Sequence, residues 1–317
     1  MTAKDAYTHV FGPVPSRRLG RSLGVDLVPF KTCTYDCVYC QLGRTTSRTA
    51  ERREYVPLDA ILPEIEGKLA EGAAPDYITL SGSGEPTLYL RLGELITAIK
   101  ARTAVPVAVI TNGSLLWDPA VREALLDADL AVPSLDVWDE ASFARVNRPC
   151  AGLGFDQMFA GLVEFSHRFT GKLWLEVLIV DQAEDLDAQV AQLAALAKRV
   201  RADRIHLNTV VRPPAESSAR PVSREKLDRW APLFGGKAEV IAEFSTRAGS
   251  IRENATAEEI LDMIKRRPCS LEDVAAGLAV HPAEALKHLD ALCRAGALLI
   301  ERRGGAAFYV ASEGWDA

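Results

Sequence analysis

With 317 residues, 48% hydrophobic and 25% charged side chains, the chain has the composition of an ordinary globular protein able to bury one large core or two smaller ones. A net charge of −6 argues against a surface coated for nonspecific nucleic-acid binding, and no apolar run approaches the roughly 20 residues a membrane-spanning helix needs. Six cysteines are too sparse for a disulfide framework and no signal-peptide pattern opens the chain, so the expected compartment is the reducing cytoplasm.

Along the chain, short runs rich in Val, Ile and Leu alternate with helical patterns. Buried strands are predicted at residues 23–27, 77–80, 107–111, 130–134, 173–179 and 204–208. Between them Leu58, Ile61, Leu62, Ile65 and Leu69 recur at helical spacing, as do Leu92, Leu95, Ile96 and Ile99. Phe155, Met158, Phe159 and Leu162 repeat the pattern, followed by Leu186, Val190, Leu193, Ala197 and Val200. Six strand–helix units predict an α/β fold with a parallel sheet and helices outside, too few strands for a closed eight-stranded barrel. The expected architecture is a partial (β/α)6 barrel over residues 1–245.

Just after the first predicted strand, Cys33, Cys37 and Cys40 stand at Cys-x3-Cys-x2-Cys spacing. Such a loop is long enough to ligate three irons of a [4Fe–4S] cube and leave the fourth open to another ligand. Structural zinc usually takes four ligands, often as two separated Cys-x2-Cys pairs, and here Cys150, Cys269 and Cys293 are each isolated. Residues 1–56 hold nine Lys/Arg against five acids, a local positive excess around that loop. It suits either an anionic ligand or a solvated surface.

The second predicted strand runs into Gly82, Ser83, Gly84, Glu85 and Pro86, a tight glycine-rich turn. Thr111 and Asn112 end the third strand, Ser134 and Asp136 the fourth, and Asn208 and Val210 the sixth. In parallel-sheet proteins ligands bind beyond the carboxyl ends of the strands, where all of these residues fall. Taken singly, each also reads as a turn or cap residue. Cys150 reads either as a hydrogen-atom donor or as a small apolar residue, and the latter is preferred. Arg148 and Arg212 are candidates for a substrate anion or for the surface.

Residues 246–255 read as a linker. Beyond it, over 256–317, a helical pattern at residues 257–266, Ser270 as an N-cap and Pro282 at a first turn predict three short helices. Residues 298–301 and 307–311, separated by Gly304 and Gly305, predict a hairpin, giving a unit like a winged helix-turn-helix. Residues 255–317 carry seven basic and ten acidic side chains, little to neutralise phosphates. DNA binding is therefore the minority reading, and a docking or lid role is preferred.

The cysteine spacing with Tyr39 before its last member, the Gly-Glu-Pro turn at residues 84–86, and residues 110–114 together resemble the radical S-adenosylmethionine (radical SAM) superfamily. The segments at residues 11–20 and 208–214 resemble a narrower subgroup of iron–sulfur oxidoreductases similar to wyosine-tRNA synthetase or to a molybdenum-cofactor biosynthesis protein. Ser83 stands where that family commonly has a second glycine. The resemblance covers residues 10 to about 245 and implies two cofactors, a [4Fe–4S] cluster on Cys33, Cys37 and Cys40 and S-adenosylmethionine. It implies contacts to the latter from Tyr39, Gly82, Ser83, Gly84, Glu85, Thr111, Asn112, Ser134, Asp136, Asn208 and Val210, with Ser134 and Asp136 preferred for the ribose. It further implies a 5′-deoxyadenosyl radical that abstracts hydrogen from an RNA base, cofactor precursor or polypeptide, and an electron donor such as flavodoxin or ferredoxin. The competing expectations are an iron–sulfur redox sensor that binds DNA through its C-terminal unit, and a zinc-binding structural protein.

Overall fold

The computed structural model describes residues 7–16, 18–181, 185–241, 255–278, 280–303 and 306–312. In chain order its elements are β1 (Val10–Ser16), β2 (Gly20–Val25), β3 (Thr32–Cys33), β4 (Ser47–Arg48), α1 (Leu58–Ala70), β5 (Tyr77–Leu80), α2 (Leu92–Lys100), β6 (Val107–Thr111), α3 (Pro119–Leu125) and β7 (Leu130–Pro133). There follow α4 (Glu140–Ser142), α5 (Phe155–Arg168), β8 (Lys172–Asp181), α6 (Leu186–Ala197), β9 (Arg204–Thr209), β10 (Arg220–Pro221), α7 (Arg224–Trp230) and β11 (Ala238–Val240). The chain closes with α8 (Ala257–Arg266), α9 (Leu271–Leu278), α10 (Pro282–Arg294), β12 (Leu298–Arg303) and β13 (Ala306–Ala311).

The main sheet runs in the order β1-β2-β5-β6-β7-β8-β9-β11, with β10 paired to β8. From β2 to β11 every neighbouring pair on that path is parallel. All six expected strands are there, but the parallel ladder has a seventh member, β11, and an antiparallel leader, β1. Both were hidden for a physical reason. Gly12, Pro13 and Pro15 punctuate β1 as if it were a loop, and β11 is three residues long with no continuous apolar run. Pro is tolerated in β1 because it forms one end of the sheet path.

Side-chain alternation divides the sheet into two faces. Ile78, Leu80, Val107, Val109, Leu173, Leu175, Val177, Ile205 and Leu207 are buried in one large core that also takes in Leu58, Ile61, Leu62 and Ile65 of α1 and Leu92, Leu95, Ile96 and Ile99 of α2. The other parity supplies Ala108, Leu130, Val132 and Trp174, a second small core capped by Leu19 from the β1–β2 turn. The helices thus cover one face, and the concave face is closed at its lower end by that turn.

The helix ends follow the chemistry of the sequence. Asp118, Asp185 and Ser223 each accept from a backbone N–H in the first turn of α3, α6 and α7. Thr256 and Glu259 form a capping box on α8, and Ser270 accepts from Asp273 N as expected. The last three helices and the β12–β13 hairpin enclose a separate core of Ile260, Met263, Ile264, Cys269, Val274, Ala285, Leu289, Leu298 and Tyr309. Of the expected linker 246–255 only Ala255 lies within the described residues, and the expected Gly304–Gly305 hairpin tip lies outside them.

Leu80 is fully buried at the end of β5, directly before the glycine-rich turn. Leu80→Ala is expected to destabilise the protein by about 2–5 kcal/mol, the range for a buried leucine truncation, seen as a lowered urea midpoint with unchanged slope.

Candidate functional site

Beyond Val25 the chain leaves β2 and crosses the upper rim of the sheet as the cysteine loop. Short β3 and β4 pair in parallel and hold that loop flat, with Thr46 N and Ser47 N both donating to Lys31 O at 3.2 and 3.1 Å. The glycine-rich turn lies against it. Lys31 N donates to Ser83 O at 2.7 Å and Glu85 N to Thr32 O at 3.2 Å. A Cβ at position 84 would sit 1.8 Å from the Thr32 carbonyl oxygen, and one at position 82, where φ is +123°, would sit 2.1 Å from Asp26 Oδ1. Only glycine permits that approach at either position.

Each of the three cysteine sulfurs faces a hydrogen-bond donor. Asn112 Nδ2 lies 3.5 Å from Cys33 Sγ, Asn147 Nδ2 3.4 Å from Cys37 Sγ, and Lys31 Nζ 3.4 Å from Cys40 Sγ. The donors are themselves fixed. Asn112 also donates to Thr34 Oγ1 at 2.8 Å and accepts from Ser114 N at 2.9 Å. Asn147 ends a π-helical turn, Phe143–Asn147, and donates to the Tyr39 hydroxyl at 3.1 Å. Inserted π turns of this kind re-aim side chains at functional sites.

Burial pushes the Cys33 thiol up to about 12 and Cys37 well above its ordinary value. Such thiols hold their protons until a metal takes their place. The donor set fits an iron–sulfur cluster, since thiolate ligands with N–H donors aimed at the sulfurs are how proteins hold and tune one. Cys150 is buried in the main core with its N–H on Thr34 O at 2.8 Å, while Cys269 and Cys293 belong to the C-terminal core.

The remaining expected residues divide by strand parity. Asn112, Ser134, Asp136 and Asn208 continue the concave-face parity of their strands, so they line the rim above the small inner core, whereas Val210 belongs to the large core. Tyr39 donates its hydroxyl proton to Asp136 Oδ2, tying the cysteine loop to that rim. Asp136 Oδ1 accepts from Leu178 N at 2.8 Å. Asn208 donates to Glu176 Oε1 at 2.9 Å, and Val210 is buried beside the rim. Glu85 and Thr111 instead lie beneath it. The Glu85 carboxylate is 2% exposed and accepts from Thr87 N, Thr87 Oγ1, Thr111 Oγ1 and Asn112 N. That carboxylate orders two strand ends at once.

Several site residues escaped sequence reasoning. Asn147 and Lys31 leave no signal in the sequence, because an amide and a lysine near cysteines carry no spacing signature. Glu176 and Arg18 form an ion pair inside the concave face, and only the fold brings residues 158 positions apart together. Arg148 makes a two-pronged pair with Glu216 at 2.6 and 2.9 Å, which engages both terminal nitrogens of its guanidinium. Arg212 reaches Gln41 Oε1 at 3.1 Å, one residue beyond the last cysteine, and Asp273 of α9 at 3.2 Å.

The model of the Radical SAM superfamily matches residues 27–180. A UPF0026 protein of Helicobacter pylori is 34% identical over 313 residues, covering 98% of this chain and 99% of that protein. A UPF0026 protein of Methanocaldococcus jannaschii is 33% identical over 291 residues, covering 89% and 86%. The GTPase Obg of Brachyspira hyodysenteriae is 36% identical over 269 residues, or 84% of this chain, and the match spans only 40% of that longer protein. Among solved structures, a radical SAM methyltransferase from Sphaerobacter thermophilus superposes with a TM-score of 0.55 at 16% identity, covering 69% of this chain and 66% of that one, a likeness of fold.

Burial pushes the Asp136 carboxyl up to about 7, against the lowering effect of its Tyr39 and Leu178 donors. An acid whose folded value exceeds its unfolded value of 3.8 binds its proton more tightly when folded, so stability falls as pH rises from about 4 through about 7. Asp136→Asn removes that slope. Melting temperatures recorded from pH 5 to pH 8 are expected to diverge, the wild type losing stability relative to the variant as pH rises.

Proposed function

Because the chain belongs to the UPF0026 family and, with it, to the radical SAM superfamily, we propose that it is an enzyme that cleaves S-adenosylmethionine reductively at a [4Fe–4S] cluster held by Cys33, Cys37 and Cys40. The observation that carries this reading is the set of three donors, one to each sulfur, from Asn112, Asn147 and Lys31. Bound there, the cluster and S-adenosylmethionine supply a 5′-deoxyadenosyl radical able to abstract hydrogen from an unactivated carbon.

The chain's own residues orient the ligands and exclude water. Gly82, Ser83 and Gly84 bring backbone beside the cysteine loop, where the methionine amine is received. Ser134 and Asp136 would hold the ribose hydroxyls, and Asn208 and Val210 would hold the adenine. Glu85 and Thr111 act from beneath, fixing the strand ends that carry these groups. The substrate is an RNA base, a cofactor precursor or a polypeptide, and one electron comes from a small carrier such as flavodoxin or ferredoxin. No helix among the described residues is long and apolar enough to cross a membrane.

The C-terminal unit, three helices and a hairpin in winged-helix order, serves as a cover for the open side of the partial barrel. It is tied at both ends of the gap. Arg266 of α8 pairs with Asp26 after β2 and lies over the Phe11 ring at 3.9 Å, while Asp273 of α9 pairs with Arg212 after β9 at 3.2 Å. Its third helix is poorly suited to phosphates, because Lys287 and His288 both lean on Glu284 and Arg294 pairs with Asp290.

Anaerobically reconstituted protein given dithionite and S-adenosylmethionine is expected to release 5′-deoxyadenosine, measured by chromatography. Cys37→Ala should lower that release by a factor of 1,000 or more, on the order of losing an essential catalytic part, and full activity in this variant would sink the assignment. Replacing both Arg212 and Arg266 by Ala is expected to speed proteolytic cleavage of the C-terminal unit about tenfold, as when roughly 1–2 kcal/mol of docking is lost from partly buried ion pairs. Gel shifts with duplex DNA at physiological salt should show no specific complex for the intact protein.

A further inference from the structure

Of the three donors to the cysteine sulfurs, Asn112 and Asn147 are neutral amides and Lys31 alone brings a charge. Lys31 is also held at unusual cost. Its φ is +62°, a left-handed backbone that glycine adopts freely and lysine does not. Only 3% of the residue is exposed, although lysine is seldom buried. Two unfavourable features at one residue point to a role for its side chain.

The contacts show what that side chain does. Lys31 Nζ lies 3.4 Å from Cys40 Sγ and donates to Gly43 O, closing the turn that carries Cys40. Its backbone N–H holds Ser83 O at 2.7 Å, and its carbonyl accepts from Thr46 and Ser47 at 3.2 and 3.1 Å. One residue thus joins the cysteine loop, the glycine-rich turn and a sulfur. Cys40 is itself partly buried, and a positive charge beside a thiolate stabilises the more electron-rich state of whatever that thiolate ligates, the more so where the charge is withdrawn from water as at Lys31.

We propose that Lys31 is a positioning residue that sets the one-electron reduction potential of the cluster through a charged N–H···S bond to Cys40, raising it towards the reach of its electron donor. The proposal rests on the cluster reading above. It concerns electron uptake, one electron from an external reductant to the cluster, and not the later chemistry on the substrate.

The test is an anaerobic redox titration of reconstituted protein with dithionite, followed by electron paramagnetic resonance, with iron and sulfide counted in each sample. Lys31→Met removes the charge at similar length, Lys31→Gly removes it while relieving the backbone, and Lys31→Arg keeps it. At the wild-type midpoint, Met and Gly variants are expected to show about a tenfold lower ratio of reduced to oxidised cluster, which is about 59 mV for one electron. The Arg variant should stay closer to wild type. Potentials in the Met and Gly variants equal to or above wild type overturn the assignment. If Met fails to retain iron, Gly and Arg decide it, and Arg performing no better than Gly in retention or potential also overturns it. Wild-type protein that takes up no iron and sulfide would instead sink the cluster reading itself.

Discussion

Two loops that leave neighbouring strands, β2 and β5, are laid side by side so closely that one has to be glycine. A Cβ on residue 84 would stand 1.8 Å from the Thr32 carbonyl oxygen, and hydrogen bonds from Lys31 N to Ser83 O and from Glu85 N to Thr32 O fix the two backbones in register. Everything at the rim is referred to that contact. It places Cys33 next to Asn112 and lets Tyr39 reach Asp136. The packing carries almost no side-chain volume, so the site is set by backbone geometry and tolerates little drift.

Beneath that contact lies a carboxylate with no free valence for solvent. Glu85 receives donors from Thr87, Thr111 and Asn112, joining the turn after β5 to the end of β6. A buried acid with several donors is strongly ordered, and burial raises its affinity for a proton while those donors lower it. The rim residues above it are networked in turn. Asp136 joins Tyr39 to Leu178 N and Glu176 joins Arg18 to Asn208, a polar lining over the apolar plug of Leu19, Leu130 and Trp174. Ordered support below and a bonded polar lining above is an arrangement suited to holding a ligand at the strand ends.

The C-terminal unit is joined to the same framework. Asp26 takes Ser83 N on one oxygen at 2.7 Å and Arg266 on the other, so the glycine-rich turn and α8 share a carboxylate. Arg212 touches Gln41, next to Cys40, and Asp273 of α9. Movement of the C-terminal unit would therefore be felt at the cysteine loop and the glycine-rich turn through two ion pairs, each partly buried and so little screened by salt. The acidic balance of this unit, legible from composition, agrees with its paired basic residues in α10.

The sequence by itself determined the parallel strands, the helix faces and the ligand loop, because each rests on local rules. Period-2 and period-3.6 patterns marked β5 and β6 to the residue, Ser270 and Pro282 marked helix starts, and Cys-x3-Cys-x2-Cys marked the site. It also set six strands where the parallel ladder has seven, since β11 is too short to leave a periodic trace, and it passed over the antiparallel β1, which is too rich in Gly and Pro. Only the tertiary structure decided which polar residues meet. Asn147 on Cys37, Arg18 on Glu176 and Arg212 on Asp273 are pairings between segments far apart in the chain, and their partners follow from how strands order themselves in space, while Lys31 meets Cys40 through the left-handed backbone that folds their shared loop. The reason is physical: a strand's identity depends on its own side chains, but a contact across the barrel rim depends on the path of every strand between.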